Sequence, residues 1–232
     1  MNSKYRYLIP NGITFLSLTC GIVSILLSAT GHLEPAGILV LTSYILDLFD
    51  GAMARKLKAS SEFGLQLDSL VDMVSLGTAP AVLVFMHLQL DGLTMGWLWP
   101  FVVLIPLAGA FRLARFNLLP PKTTGNTDSV GLTISTGGAT LALAVLADLA
   151  IASEMMSDYW YILLLVIITI LMVSTIEFPS LKGVFTGRRK NVVILSLFGV
   201  SLAVTPFFAA WFFWTNAYLG LSVARAGYKR LT

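Results

Sequence analysis

Asp47-Leu-Phe-Asp50-Gly51-Ala-Met-Ala54-Arg55 is followed, eight residues on, by Gly64-Leu-Gln-Leu-Asp68-Ser-Leu-Val-Asp72, so four aspartates stand within 26 residues of otherwise apolar sequence. An acidic side chain in the middle of a membrane helix costs about 2.5 to 3.5 kcal/mol on the lenient insertion scale. Four of them cost on the order of 10 kcal/mol unless a cation compensates. The segment therefore reads as two helices built around a cation.

The rest of the chain fits a membrane setting. Of its 232 residues 56% are hydrophobic and 12% charged, and the mean hydropathy is +0.83. A water-soluble globule of this length needs more polar surface than that. Apolar segments fall near 9–30, 35–57, 63–88, 95–115, 130–151 and 159–178, with a longer tract at 191–224. Each is near the ~20 residues that cross roughly 30 Å of hydrocarbon. The expected class is an all-α polytopic membrane protein, residues 1–232 forming one transmembrane catalytic domain. Lys4 and Arg6 before the first apolar run resemble a signal peptide, but no small-residue cleavage site follows, so that run reads as a retained first helix. The single Cys20 permits no intramolecular disulfide.

All 15 Lys and Arg fall at the N-terminus, in alternate loops or at the C-terminus: Lys4 and Arg6; Arg55, Lys56 and Lys58; Arg112, Arg115 and Lys122; Lys182 and Arg188 to Lys190; Arg225 to Arg230. The positive-inside rule puts these regions and both termini in the cytoplasm. The last tract, flanked by bases at both ends, then needs an even number of crossings. Thr205-Pro206 marks a turn between two short helices, 191–204 and 207–224, because proline lacks a backbone donor and disfavours helix before it. The expectation is a six-helix core plus a C-terminal pair, eight spans in all. A single tilted helix with an interfacial tail is the alternative.

A hairpin turning near residues 59 and 60 makes Asp50 nearly level with Asp68, and Asp47 with Asp72, roughly 13 to 19 Å along the helices from the turn. Asp47, Asp50, Gly51 and Ala54 share one helix face, and Gly64, Asp68 and Asp72 share another. Converging hard oxygen ligands suit Mg²⁺, Mn²⁺ or Ca²⁺. Small Gly51, Ala54 and Gly64 admit a ligand close to the backbone, and Arg55 adds a bidentate phosphate donor. A divalent metal beside a guanidinium at the cytoplasmic surface suits a diphosphate.

The pattern D-x2-D-G-x2-A-R-x8-G-x3-D-x3-D, matched at every fixed position from Asp47 to Asp72, resembles the signature of the CDP-alcohol phosphotransferases. Pro10-Asn11, Leu67 to Ala81, Phe111-Arg-Leu-Ala-Arg-Phe-Asn117 and Ser174 to Lys182 resemble the integral-membrane phosphatidylserine synthases within that family. Where those usually carry Gly-Leu-Pro, this chain reads Gly131-Leu-Thr-Ile. The resemblance implies transfer of the phosphatidyl group of CDP-diacylglycerol to L-serine with release of CMP, by a homodimer in the cell membrane with its active site facing the cytoplasm. Asp47, Asp50, Asp68 and Asp72 are the implied ligands of Mg²⁺ or Mn²⁺, and Asp72 doubles as the implied base. Gly51, Ala54, Arg55, Gly64 and Asn11 are the implied CDP contacts.

Other residues carry two readings each. Arg112 and Arg115 either anchor a helix end by snorkelling or grip the carboxylate or phosphate of the acceptor. Ser75, one turn beyond Asp72, either meets the acceptor or packs between helices. Asn11 and Thr14 face the cytidine or a neighbouring helix. Arg188-Arg-Lys190 reads as a topology signal or lipid contact rather than a nucleic-acid patch, and His32 and His87, on the far side, receive no role. Glycerol phosphate and inositol phosphate remain alternative acceptors. A cation transporter is the alternative of another class, disfavoured because no broken-helix site mirrors the aspartates in the second half.

Overall fold

The computed structural model describes residues 7–59, 61–90, 98–118, 129–151, 157–179 and 188–231, with backbone alone over 188–195 and 229–231. Lys4, Arg6, Lys122 and Lys182 lie outside them. Among the described residues eight helices follow one another: α1 (Leu8–Ala29), α2 (Leu33–Lys56), α3 (Glu62–Leu90), α4 (Trp99–Leu118), α5 (Ile134–Ala150), α6 (Asp158–Val173), α7 (Arg188–Val204) and α8 (Phe207–Leu231). Five of them, α1 to α4 and α8, are long and apolar enough to cross a membrane. The chain is an integral membrane protein of the all-α class. The C-terminal tract does divide at Thr205-Pro206 into two helices, as the proline predicts.

The second half departs from the sequence reading in one respect. The apolar segments near 130–151 and 159–178 are not helical throughout, because Ser129–Val130 (β1) and Glu177–Phe178 (β2) pair as a short antiparallel ribbon. Gly131 turns with φ +76°, Thr133 then caps α5 by accepting the Thr136 amide at 3.1 Å, and Ser174 is extended at the end of α6. Turn and cap chemistry stopped the helices where hydropathy alone would have continued them.

Helix α5 is the centre. Every residue from Gly137 to Ala147 is buried, and α2, α3, α6 and α8 pack around it. A helix apolar on all sides is one that other helices surround. Its approach to α3 is backbone-close at Gly138, where an added Cβ would run into the Leu76 carbonyl oxygen and lie 3.1 Å from Pro80 Cγ. Leu76 belongs to a π-helical turn, Met73–Thr78, within α3. Pro80 has no N–H to bond the carbonyl one turn back, and the wider turn accommodates it.

Helix α1 packs on α2 and α3 through a seam of small polar residues: Thr14, Ser17, Gly21, Ser24 and Ser28 are buried at heptad spacing. Ser43 donates to the Ser17 carbonyl at 3.0 Å, Ser75 donates to the same carbonyl at 3.0 Å, and Ser24 donates to the Ala36 carbonyl at 2.8 Å. In lipid there is no hydrophobic drive between helices, so small residues and interhelical hydrogen bonds hold them. At the opposite end from the aspartates, His87 Nε2 and the Tyr161 hydroxyl meet Asp148 Oδ2 at 3.0 and 3.2 Å, tying α3, α5 and α6 together.

Gly138→Ala is expected to lower the unfolding midpoint in detergent by the equivalent of about 1 to 3 kcal/mol, the usual cost of overpacking. Gly220, which faces open space, is the control: Gly220→Ala should be neutral or slightly stabilising. Equal behaviour of the two variants would contradict the close α3–α5 contact.

Candidate active site

The turn between α2 and α3 is specified residue by residue. The Ala59 amide bonds the Ala54 carbonyl at 2.9 Å and the Lys58 amide bonds the Arg55 carbonyl at 3.2 Å, with Lys58 left-handed at φ +50°. This is the paired 6→1 and 5→2 closure of a helix C-terminus. Ser61 then caps α3 by accepting the Gly64 amide at 3.0 Å. Stop and start signals this close together fix the register of the two helices.

That register brings one carboxylate oxygen each from Asp47, Asp50 and Asp68 within 4.8 Å of one another. Asp68 thus reaches both levels of α2 rather than Asp50 alone. The first turns of α3 pack on α1 rather than on α2, so α1 fills the wedge between the acidic helices. The Thr14 hydroxyl lies 2.8 Å from Asp50 Oδ2, and Asp50 also accepts the Gly51 amide. Asn11 Oδ1 stands 3.6 Å from where a Cβ on Gly64 would lie. Ser135 at the start of α5 lies within interacting range of Asp47, and Thr136 within range of Tyr44, one turn before it. Three helices, not two, shape the site, with α5 closing its floor.

Asp72 stands one turn deeper than Asp68, only 8% exposed and within electrostatic reach of the other three carboxylates. Arg112, 7% exposed, stands within electrostatic reach of Asp72 and Asp47. Its Nη2 donates to Ser129 Oγ at 3.0 Å, while its Nε is buried without a hydrogen-bond partner among the described residues. Arg115 turns elsewhere. Nη1 donates to the Val173 carbonyl at 3.0 Å, and Nη2 to the Ser174 and Val130 carbonyls at 3.1 and 3.4 Å. Ser75 is fully buried against Gly21 and bonded to α1, so it packs between helices. Arg55 is exposed on α2 and its guanidinium lies over Gly51, 3.4 Å from where a Cβ would be. Ala54 is half-buried one turn below Gly51.

The oxygens fit a hard divalent cation: three carboxylates at ligating separation, with no thiolate or imidazole among them. A CDP-alcohol phosphatidyltransferase family model matches residues 7–171. The chain belongs to the CDP-alcohol phosphatidyltransferase family. It is similar to the CDP-diacylglycerol–serine O-phosphatidyltransferase of Helicobacter pylori, 31% identical over 191 residues that span 82% of this chain and 79% of that protein. It is also similar to the archaetidylserine synthase of Methanothermobacter thermautotrophicus, 33% identical over 180 residues (75% and 71%). A third relative is the CDP-diacylglycerol–serine O-phosphatidyltransferase of Methanocaldococcus jannaschii, 31% identical over 196 residues (84% and 82%).

Four polar residues around this phosphatidyltransferase site were not singled out from the sequence: Tyr44, Ser129, Ser135 and Thr136. Tyr44 lies one turn before Asp47, a spacing visible in the sequence. The other three lie more than 55 residues beyond Asp72, and only the fold brings them to it. Two substitutions test the turn. Lys58→Gly should stabilise the protein by roughly 1 kcal/mol through relief of the left-handed backbone, and Ser61→Ala should cost about 1 kcal/mol by loss of the cap. Unfolding midpoints moving in opposite directions are the expected result.

Proposed function

We propose that this phosphatidyltransferase moves the phosphatidyl group of CDP-diacylglycerol onto the hydroxyl of L-serine and releases CMP. The relatives named for serine support that acceptor. The observation that carries the reading is the division of the acidic cluster: three carboxylates converge within 4.8 Å, while the fourth stands apart, buried and within electrostatic reach of a guanidinium.

In this reading Asp47, Asp50 and Asp68 hold Mg²⁺ or Mn²⁺. The bound cation supplies neutralisation of the diphosphate and of the departing CMP. Thr14 and the Gly51 amide fix the Asp50 carboxylate, and Ser135 lies within interacting range of that of Asp47. Gly51 and Gly64 leave the diphosphate room against the backbone, Arg55 closes over it, and Asn11 lines the nucleotide side. Asp72 takes the proton of the serine hydroxyl as that oxygen bonds to the lipid-bearing phosphorus. The bond from that phosphorus to the CMP oxygen breaks, and CMP leaves with the electron pair. A base must be shielded from the metal to keep its affinity for a proton, and Asp72 is the carboxylate outside the converging three.

The acceptor follows from charge. A phosphorylated alcohol brings about two negative charges and calls for several cations. Among the described residues Arg112 stands within electrostatic reach of the carboxylates and Arg115 is turned to backbone carbonyls. One guanidinium matches the single carboxylate of serine better than a phosphate monoester. In this reading the basic loops lie on the cytoplasmic side of the cell membrane by the positive-inside rule, so serine and CMP exchange with the cytoplasm at this end of the bundle. A homodimer is the assembly the resemblance implies.

Purified protein supplied with CDP-diacylglycerol, Mn²⁺ or Mg²⁺ and labelled alcohols should label lipid with serine and release CMP. Labelling by glycerol 3-phosphate or inositol phosphate without serine would sink the acceptor assignment. Asp68→Asn should lower CMP release by at least about a hundredfold while the unfolding midpoint holds. Full activity in that variant would remove the metal argument.

A further inference from the structure

We infer that Arg115 is a positioning residue of the acceptor site: through the β1–β2 ribbon it fixes Ser129, and Ser129 holds the Arg112 guanidinium in place. The inference rests on the reading of Arg112 as the contact for the acceptor. Its parts are hydrogen bonds and close backbone approaches around the β1–β2 ribbon.

The last carbonyls of a helix have no partner within it. At the end of α6 two carbonyls, those of Val173 and Ser174, are satisfied by the Arg115 guanidinium reaching across from α4, and the same fork reaches the Val130 carbonyl of β1. Arg115 also stacks over Phe111 at 5.9 Å, which fixes its stem on the preceding turn. The next residue of the ribbon leaves no slack. Gly131 donates to the Ile176 carbonyl at 2.8 Å, and a Cβ on it would lie 2.7 Å from the Met172 carbonyl and 3.0 Å from Arg115 Nη2. Pairing of Ser129 with Phe178 sets the register, and Phe178 is buried against Tyr218 of α8, whose hydroxyl donates to the Pro179 carbonyl at 2.8 Å.

The polarity of Ser129 completes the relay. A serine hydroxyl has one proton to give, and this one goes to the Gly131 carbonyl at 3.1 Å. Towards Arg112 it can then only accept, and it takes Nη2 at 3.0 Å. One N–H of Arg112 is pinned in this way, Phe116 stacks at 5.9 Å from its guanidinium carbon, and the buried Nε is left over as a donor for a ligand. Arg115 contributes to acceptor binding without touching the acceptor.

The test separates substrate-specific effects from general loosening. For full-length protein in nanodiscs, KM for serine, KM for CDP-diacylglycerol, kcat and the unfolding midpoint are measured for Ser129→Ala, Arg115→Lys and Arg112→Lys. Loss of a hydrogen bond to a charged group corresponds to about a tenfold change, so Ser129→Ala should raise KM for serine about tenfold with KM for CDP-diacylglycerol and the midpoint unchanged. Arg115→Lys retains the charge but cannot serve three carbonyls at once, and should give the same split together with a lower midpoint. An unaltered serine KM in Ser129→Ala, or both KM values rising together, overturns the relay. If Arg112→Lys itself leaves serine KM unchanged, the acceptor reading beneath it fails instead. If the unmodified chain prefers another alcohol, the same split measured with that alcohol decides the relay by itself. Should Arg115→Lys fail to fold, Ser129→Ala remains decisive.

Discussion

Three carboxylates within 4.8 Å of one another repel. At an effective dielectric of about 20 each pair at that distance opposes the other by roughly 3 kcal/mol. No apolar packing on nearby helices is directed enough to hold them together against this, so the architecture has to supply both constraint and positive charge. The constraint is visible in the paired carbonyl closure at Lys58 and Ala59, the Ser61 cap, and the hydrogen bond from Thr14. The charge comes from Arg112 and, in the proposed reaction, from a divalent cation against a diphosphate.

The surrounding bundle makes sense as a frame for that cluster. Helix α5 is buried because α2, α3, α6 and α8 all bear on it, and its first turn delivers Ser135 and Thr136 to the acidic helix. The π-turn in α3 begins at Met73, directly after Asp72, where it adjusts the phase of the helix between the carboxylates and the tight crossing at Gly138. A local distortion next to a reactive group is a common use of such turns. The serine seam of α1 serves the same end by locking α1 to α2 and α3, which keeps Thr14 and Asn11 at the mouth.

The C-terminal pair also finds a use in this frame. Helix α8 packs on α5 and carries Tyr218 against Phe178 and Pro179, so it steadies the ribbon behind Arg112. Arg112 and Arg115, three residues apart with identical chemistry, are thereby divided: one within reach of the carboxylates, the other into the backbone of a neighbouring helix end.

Composition, charge alternation and the aspartate spacing were enough for the class, the helix count and the identity of the acidic cluster, since each depends on short-range order: hydropathy over one span, bases at alternate loops, side chains three and four apart on one face. Thr205-Pro206 was legible for the same reason, because proline acts on its own backbone. What needed the tertiary structure was everything set by contacts distant in the chain. The ribbon that ends these apolar segments pairs Ser129 with Phe178 and Val130 with Glu177, 49 and 47 positions apart, and Ser135 comes near Asp47 only because α5 is central. Whether an arginine faces a substrate site or a set of carbonyls depends on which helix end lies opposite, and no local pattern in Phe111 to Asn117 carries that information.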